Sequence, residues 1–207
     1  MFITFEGPEG AGKTTAISLI ADRLRDRGDS VVVTREPGSG AFGARIRELL
    51  LHSEAMTPEA ELFLFLADRA NHVKTIILPA LDRGETVLCD RFSDSTIVYQ
   101  AIVRGLNRDF VYAANELATG GLVPEKTFLL DLPPEVGLDR IKNKDRIDAL
   151  PIEFHRKVRD GFLRLAAEDP ARWQVIDATK ETEAIQESFF QWLDNDRAGQ
   201  QAFEFSS

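Results

Sequence analysis

The feature that most constrains this chain is a glycine-rich segment close to its start. It follows the short apolar run Phe2–Phe5 and leads into apolar residues at helical spacing. A strand, a glycine-rich turn and a helix in this order are the setting of a phosphate-binding P-loop, in which backbone N–H groups and the helix N-terminus face phosphate oxygens. The segment therefore predicts a nucleotide site. Its residues are Gly7, Pro8, Glu9, Gly10, Ala11, Gly12, Lys13, Thr14 and Thr15.

Two side chains of this loop carry chemistry of their own. Lys13 supplies a mobile cation for the outer phosphates, and the hydroxyl of Thr14 suits Mg²⁺. Two carboxylates compete to assist the metal, since Asp90 and Asp131 each end an apolar strand pattern. We favour Asp90 because Arg91 follows it at once and would reach the transferred phosphate.

The distribution of apolar segments predicts the fold. Five strand-like segments alternate with helix-like ones, which indicates a three-layer α/β domain with a five-stranded parallel sheet. We expect one domain over residues 1–207, ending in a polar tail from about 197 to 207. The predicted strands are Phe2–Phe5, Ser30–Thr34, Thr86–Cys89, Phe128–Asp131 and Trp173–Asp177.

The charge of the chain restricts its partners. A net charge of −9 argues against binding to nucleic-acid backbone, which usually needs a basic face. No apolar run approaches the length of a membrane span, and Met1 and Phe2 lead straight into a strand, with no room for a targeting segment. We therefore expect a cytoplasmic protein without nucleic-acid or membrane partners. The single Cys89 lies in a strand pattern and is expected to be buried.

A long helix is predicted to begin at Thr57 and Pro58, and Pro79 should kink or divide it. Phe65 and Arg69 lie four residues apart on this helix, so they share a face. Phe65 could be ordinary core, or the pair could form a flat wall and a hydrogen-bonding fork for a base. The expected core positions of the helix are Leu62, Leu66, Ala70, Val73 and Ile77. We interpret His72, which has no evident partner, as structural.

Further residues could complete a second ligand site. Arg35 ends a predicted strand, where ligands of parallel sheets bind, although it could equally be a surface charge. Thr96, Tyr99 and Gln100 lie on one turn or adjoining turns and could line a pocket, with packing as the alternative for Tyr99. This second site, with Arg35, Arg69 and Arg91, suits a small anion.

A basic cluster from Arg140 to Arg146 precedes Pro151. It could be a solvated turn, or a lid over residues 141–152 that closes over triphosphate and excludes water. The combination suggests phosphoryl transfer between two nucleotides. A monophosphate acceptor needs no catalytic base, since its second pKa is about 6. Lys13, Mg²⁺, Arg91 and a lid arginine would stabilise the transferred charge.

Several motifs together closely resemble the bacterial thymidylate kinases. They are the P-loop segment, Thr34-Arg35-Glu36-Pro37-Gly38, Phe65-Leu66-Ala67-Asp68-Arg69, residues 90–96 with Tyr99-Gln100, and Asp177-Ala178-Thr179. The resemblance spans nearly the whole chain. It implies a nucleoside-monophosphate-kinase fold, a homodimer, and Mg²⁺-dependent conversion of ATP and dTMP to ADP and dTDP in dTTP synthesis.

The resemblance also implies roles for individual residues. Phe65 would stack on thymine and Arg69 would hydrogen-bond it, while Thr96 and Gln100 lie nearby. Arg35 and Arg91 would hold the phosphate of dTMP. Tyr99 and Glu9 would flank the sugar, and Lys180 would lie near adenine.

The source of the catalytic arginine differs between two branches of this family. One branch has a basic residue at the P-loop position that Gly10 occupies here, and the other takes the arginine from the lid. Gly10 and the segment Asp145–Asp148 place this chain in the second branch, with Arg146 as the arginine. Two departures stand out: Ser39-Gly40 replaces the usual glycine and threonine, and a short lid leaves the roles of Lys142 and Lys144 open.

Two alternatives remain open at this point. A deoxynucleoside kinase would need a carboxylate base for a sugar hydroxyl, for which Glu36 is the candidate. A non-catalytic nucleotide-binding module would bind ATP without transferring its phosphate.

Overall fold

Five parallel strands form a single sheet in the structure, a computed structural model that describes residues 1–52 and 56–204. The order across the sheet is β2-β3-β1-β4-β5, so β1 is the central strand, and its neighbour β3 ends beside the P-loop. This confirms the predicted five-stranded parallel sheet. The strands are β1 Phe2–Glu6, β2 Val31–Arg35, β3 Thr86–Asp90, β4 Lys126–Asp131 and β5 Trp173–Asp177.

Helices cover both faces of the sheet. Pro79 lies in the first turn of α4 and, as predicted, the long helix is divided ahead of it. Two π-helical segments, Val73–Ile77 and Ile97–Val103, continue α3 and α5 respectively. The helices are α1 Lys13–Asp26, α2 Gly40–His52, α3 Pro58–His72, α4 Leu78–Asp82, α5 Ser93–Thr96, α6 Arg108–Thr119, α7 Pro134–Asp139, α8 Ile152–Glu168 and α9 Thr182–Glu204.

Hydrophobic clusters lie on both sides of the sheet. On one side Phe5 and Phe128 stack under α1 and α9, where Phe189 completes an aromatic group. On the other side Leu50 and Phe162 belong to a cluster built from α2, α3, α6 and α8. These clusters account for the three layers, because each face of the sheet is apolar and has to be covered.

Helix α3 departs from the predicted apolar stripe. Leu62, Val73 and Ile77 are buried as expected, but Leu66 and Ala70 are only half-buried. The face turned inward instead carries ionisable side chains, because this side of the helix borders a polar cavity. These buried residues are Glu61, Asp68, Arg69 and His72.

The structure describes Cys89 and most of the predicted C-terminal tail. Cys89 is a buried free thiol, as predicted. Part of the predicted polar tail, from about 197 to 207, is helical: α9 continues to Glu204, and Arg197 Nη2 donates to Asp29 Oδ1 at 2.8 Å. Residues 205–207 of that tail lie outside the described residues. Within the described ranges, no helix combines the length and the apolar character needed to cross a bilayer.

Candidate functional site

The P-loop connects β1 to α1 and encloses the side chain of Lys13. The Lys13 Nζ atom donates to the carbonyl oxygens of Gly7 at 3.1 Å and Pro8 at 3.0 Å. Gly12 takes a left-handed conformation, with φ of 83°, directly before the helix. Burial lowers the pKa of Lys13, and the charge of Arg91 acts in the same direction. The loop therefore presents backbone N–H groups, a helix N-terminus and one tethered amine to the same hollow.

The end of β3 meets the start of α1 at a pair of oxygen donors. The hydroxyl of Thr14 donates to Asp90 Oδ2 at 2.7 Å. Hydroxyl and carboxylate oxygens are hard donors of the kind that Mg²⁺ takes beside phosphate, so this pair fits the metal. The competing carboxylate, Asp131, accepts two bonds from Arg159, at 2.7 and 2.8 Å. Both carboxylate oxygens of Asp131 therefore already accept hydrogen bonds from Arg159.

Two cavities open at this edge of the sheet. The P-loop hollow has a volume of about 470 Å³, and a second cavity beside it has about 100 Å³. The second cavity is bounded by Phe65 and Phe92 and by polar groups that include Gln100. Residues common to the walls of both cavities are Glu9, Arg35, Arg47, Asp90 and Arg91, a set that we call the shared wall.

Arg91 is the most constrained residue of the shared wall. Its φ of 67° is unusual for a residue with a side chain and marks strain at the end of β3. Nη1 donates to Ser95 Oγ at 3.2 Å, and Nη2 lies 2.8 Å from Glu9 Oε2 in an ion pair. Among the described residues Nη2 has no hydrogen-bond partner beyond this ion pair. Burial would lower the pKa of Arg91, but the charges of Glu9 and its neighbours raise it. The guanidinium is therefore permanently charged, and its Nη2 group can still donate a hydrogen bond.

Glu9 and Tyr99 meet directly where the two cavities join. The Tyr99 hydroxyl donates to Glu9 Oε1 at 2.6 Å, and the Tyr99 ring lies 5.4 Å from the Arg91 guanidinium. Burial would raise the pKa of Glu9, but Arg91 and Lys13 outweigh it and lower the pKa to about 2. Glu9 is therefore a fixed anion that orients Tyr99 and Arg91 together.

Arg69 lies behind the apolar end of the second cavity and is 1% exposed. Its N–H groups already have protein partners. Nε donates to Glu36 Oε2 at 2.8 Å and Nη2 donates to the Phe92 carbonyl at 3.0 Å. Nη1 donates to Thr96 Oγ1 at 2.8 Å and to Asn115 Oδ1 at 2.6 Å. Arg69 thus ties the side chains around the cavity to one another.

His72 belongs to the same buried network, so the interpretation that it lacks a partner is wrong. Its Nδ1 lies 2.8 Å from Glu36 Oε1, and its Nε2 lies 2.6 Å from Thr34 Oγ1. The Ser39 hydroxyl, at one of the two departures noted in the sequence, lies 2.6 Å from Thr34 Oγ1. Asp68 lies beside this group, and burial raises its pKa to about 6. Nothing local in the sequence predicts the contacts of His72, because both of its partners are more than thirty residues away.

Two predicted residues lie away from the P-loop hollow. Arg146 donates from Nε to the Leu50 carbonyl at 2.9 Å and from Nη2 to Glu61 Oε2 at 2.6 Å. The structure therefore differs from the expectation that this arginine faces the triphosphate. Lys180 is exposed on the turn after β5 and is part of neither cavity wall.

Two arginines at the site were given no individual role by the sequence reasoning. Arg47 of α2 is part of the shared wall, and its Nη1 donates to the Pro37 carbonyl at 2.9 Å. Burial and the charge of Arg35 lower the pKa of Arg47. Arg140 borders the P-loop hollow and lies near the carbonyl oxygens of Gly10 and Ala178, at 3.4 and 3.3 Å. Arg140 stood within the predicted basic cluster, whereas only the fold reveals Arg47.

The P-loop also packs backbone against backbone on α7. A Cβ atom on Gly10 would lie 2.0 Å from the carbonyl oxygen of Gly137, and a Cβ atom on Gly137 would lie 2.1 Å from that of Glu9. Both distances are far below a van der Waals contact. Only glycine fits at either position, so Gly10 cannot be replaced by a residue that reaches the phosphates.

Comparisons with known proteins agree with this geometry. The family model described as thymidylate kinase matches residues 5–189. A thymidylate kinase of Synechococcus sp. (strain JA-2-3B'a(2-13)) is 54% identical over 178 residues, which cover 86% of each chain. One from Thermomicrobium roseum is 51% identical over 188 residues, covering 89% of this chain and 90% of the relative. The crystal structure of thymidylate kinase from Ehrlichia chaffeensis superposes with a TM-score of 0.79 at 33% identity, over 93% of this chain and 98% of that one. The chain belongs to the thymidylate kinase family.

Proposed function

We propose that this chain transfers the γ-phosphoryl group of ATP to dTMP, giving ADP and dTDP for the synthesis of dTTP. The observation that carries the proposal is the pair of cavities with one shared wall, which holds Arg91 between them. ATP would lie with its phosphates in the P-loop hollow, and dTMP would lie in the second cavity. The names and identities of the relatives support the same pair of substrates.

The chemistry follows from this arrangement. A phosphate oxygen of dTMP is already ionised at neutral pH, so it can attack the γ-phosphorus without a base. The bond to the oxygen between the β- and γ-phosphorus breaks as the new P–O bond forms. Lys13 and Arg91 would neutralise charge on the transferred group, and Arg35 would orient the acceptor phosphate. Thr14 and Asp90 would hold Mg²⁺, which supplies charge neutralisation on the phosphate oxygens when it is bound.

The remaining site assignments are part of the same proposal. Phe65 offers a flat surface to the base, while Tyr99 and Glu9 border the region between base and phosphate. Arg146, as the catalytic arginine of a lid over residues 141–152, would have to leave Glu61 when ATP is bound. Lys180 would approach adenine from the turn after β5.

A deoxynucleoside kinase is less well supported. It needs a free carboxylate beside a sugar hydroxyl, and Glu36 is the candidate. Both oxygens of Glu36 are engaged, one by Arg69 and the other by His72, each at 2.8 Å. A base must accept a proton, and these contacts oppose that.

A homodimer is included in the proposal because apolar side chains stand exposed on one layer of helices. Phe63 on α3 is 56% exposed and meets Phe110 of α6 edge to face, with ring centroids 6.4 Å apart. Leu117, also on α6, is 86% exposed. Sedimentation should give a dimer that Phe63→Asp converts to monomers; a monomeric wild type would refute this part.

We also place the chain in the cytoplasm, since ATP is the donor and the single Cys89 is a free thiol.

The test is a coupled assay of ADP release with ATP, Mg²⁺ and either dTMP, thymidine or no acceptor, with products separated by chromatography. We expect ADP release that depends on dTMP and appears together with dTDP. Turnover of thymidine but not dTMP would replace the proposal with a deoxynucleoside kinase. ATP binding without any acceptor-dependent release would indicate a non-catalytic module.

A further inference from the structure

Glu61 of α3 is a buried acid just outside the second cavity. It is 2% exposed and is not part of the cavity wall. Its Oε2 accepts from Arg146 Nη2 at 2.6 Å and Arg104 Nη2 at 3.2 Å, while Oε1 accepts from Arg104 Nε at 3.3 Å and Gln100 Nε2 at 3.0 Å. Burial would raise the pKa of Glu61, but the two arginines and Gln100 outweigh it and hold the pKa below its ordinary value. Glu61 is therefore ionised and can only accept hydrogen bonds.

An ionised Glu61 determines which way the Gln100 amide faces. An amide has a donor end and an acceptor end, and only the NH₂ end can face a carboxylate. The oxygen of Gln100 must then face away from Glu61. Gln100 is 1% exposed and lies in the wall of the second cavity, and no described side chain donates to its Oε1. The oxygen is thus left as a fixed acceptor for whatever occupies the cavity.

The other groups at this end of the cavity do not determine whether the base must present a hydrogen-bond donor or an acceptor. Arg69 has protein partners for its N–H groups. The Thr96 hydroxyl accepts from Arg69, but its own proton rotates freely and can follow the ligand. The aromatic surfaces of Phe65 and Phe92 do not distinguish donors from acceptors. A fixed polarity at the base edge therefore comes from Gln100.

Pyrimidine bases differ at the ring nitrogen that such an acceptor would meet. Thymine and uracil carry a proton on N3 and can donate it to the amide oxygen. In cytosine N3 is an acceptor, so its lone pair would point at a lone pair of the amide oxygen and repel it. We propose that Glu61 determines base specificity: by holding the NH₂ group of Gln100, it presents the amide oxygen to the base and selects pyrimidines with an N3–H over cytosine. This inference rests on the proposed function. Glu61 acts as a positioning residue, since it touches no substrate.

The test is the variant Glu61→Gln, whose side-chain amide can donate as well as accept. The Gln100 amide can then turn, and the fixed polarity is lost. Sites that hydrogen-bond a substrate group can reject an analogue lacking it by about 10⁴-fold, so we expect the dTMP to dCMP ratio of kcat/KM to fall by at least about tenfold. Most of the change should be in KM for the monophosphates, with KM for ATP unchanged. The dTMP to dUMP ratio should stay constant, because both bases carry the N3 proton.

A matched control is Arg104→Gln, which removes a partner of Glu61 without touching Gln100 and should keep the dTMP to dCMP ratio. If Glu61→Gln does not fold, the double variant Glu61→Gln/Arg104→Gln removes one of the two unpaired cations and is measured instead. Calorimetric binding of dTMP and dCMP without ATP reads base selection independently of transfer. An unchanged dTMP to dCMP ratio in an active variant would overturn the inference and leave the proposed function standing. A wild type that neither binds nor phosphorylates dTMP would overturn both.

Discussion

Gly10 and Gly137 touch through their backbones, so that a methyl group on Gly10 would lie 2.0 Å from the Gly137 carbonyl oxygen. The contact fixes the P-loop against the start of α7. It also means that position 10 cannot supply a cation for the transferred phosphate.

Gly10→Ala should therefore weaken ATP binding and lower Tm. Gly105→Ala is a matched control, because Gly105 has a similar φ, 74° against 71°, but open space around the added methyl. The control should cost only the strain of a left-handed residue, about 1–2 kcal/mol. KM for ATP should rise in Gly10→Ala alone. Equal effects in the two variants would show that strain, and not the contact, matters.

Asp90→Asn should raise the Mg²⁺ concentration needed for half-maximal activity by at least about tenfold, since the Thr14–Asp90 pair would lose its charge. Asp131→Asn provides the comparison, because Asp131 is bound to Arg159 instead. Titration of activity with Mg²⁺ measures both. A shift confined to Asp131→Asn would assign the metal role to that residue.

Arg146→Ala should lower kcat on the order of a thousandfold, if Arg146 reaches the transferred phosphate, and should leave KM for dTMP nearly unchanged. Arg104 shares the partner Glu61, so Arg104→Ala removes a comparable ion pair. Steady-state kinetics of the two variants separate catalysis from anchoring. Similar small losses in both would reduce Arg146 to a structural partner of Glu61.

Glu6 should make stability depend on pH. Burial raises its pKa to about 7, against an ordinary value of 4.5. Between these values the folded chain binds more protons than the unfolded chain, so the contribution of Glu6 to the free energy of unfolding falls as pH rises and is flat above about pH 7.

Thermal unfolding of Glu6→Gln measures this effect. The Tm of the variant relative to the wild type should increase by roughly 6–12 °C from pH 4.5 to 8. A pKa of about 7 against 4.5 corresponds to about 3 kcal/mol, and about 1 kcal/mol shifts Tm by about 2–4 °C at this size. Glu116→Gln, on the exposed face of α6, is the control for removing the charge of a surface carboxylate. A constant difference for Glu6→Gln would contradict the raised pKa.

The sheet and most helices could be predicted because their signals are local. Each strand is a short apolar segment, and proline or glycine marks most boundaries. Helix α6, for example, begins after the Asn107 cap and ends at the left-handed Gly120. The P-loop was predictable for the same reason, since its residues are contiguous.

The polar network behind the second cavity could not be predicted in this way. Glu36 meets His72 across thirty-six positions, and Glu61 meets Arg146 across eighty-five. Apolar periodicity assigned Leu66 and Ala70 to the core, yet the charged neighbours on α3 are buried more deeply. Burial of a charge depends on a partner from elsewhere in the fold, which no local pattern contains.

The shared wall joins the two ligand sites so closely that they could be occupied by a single molecule. A compound with adenosine at one end and thymidine at the other, linked by a chain of phosphates, would engage its second half at high effective concentration once the first half had bound. Substitutions of these arginines that weaken binding of such an inhibitor would also impair the reaction, because the same side chains would bind the phosphates of the substrates.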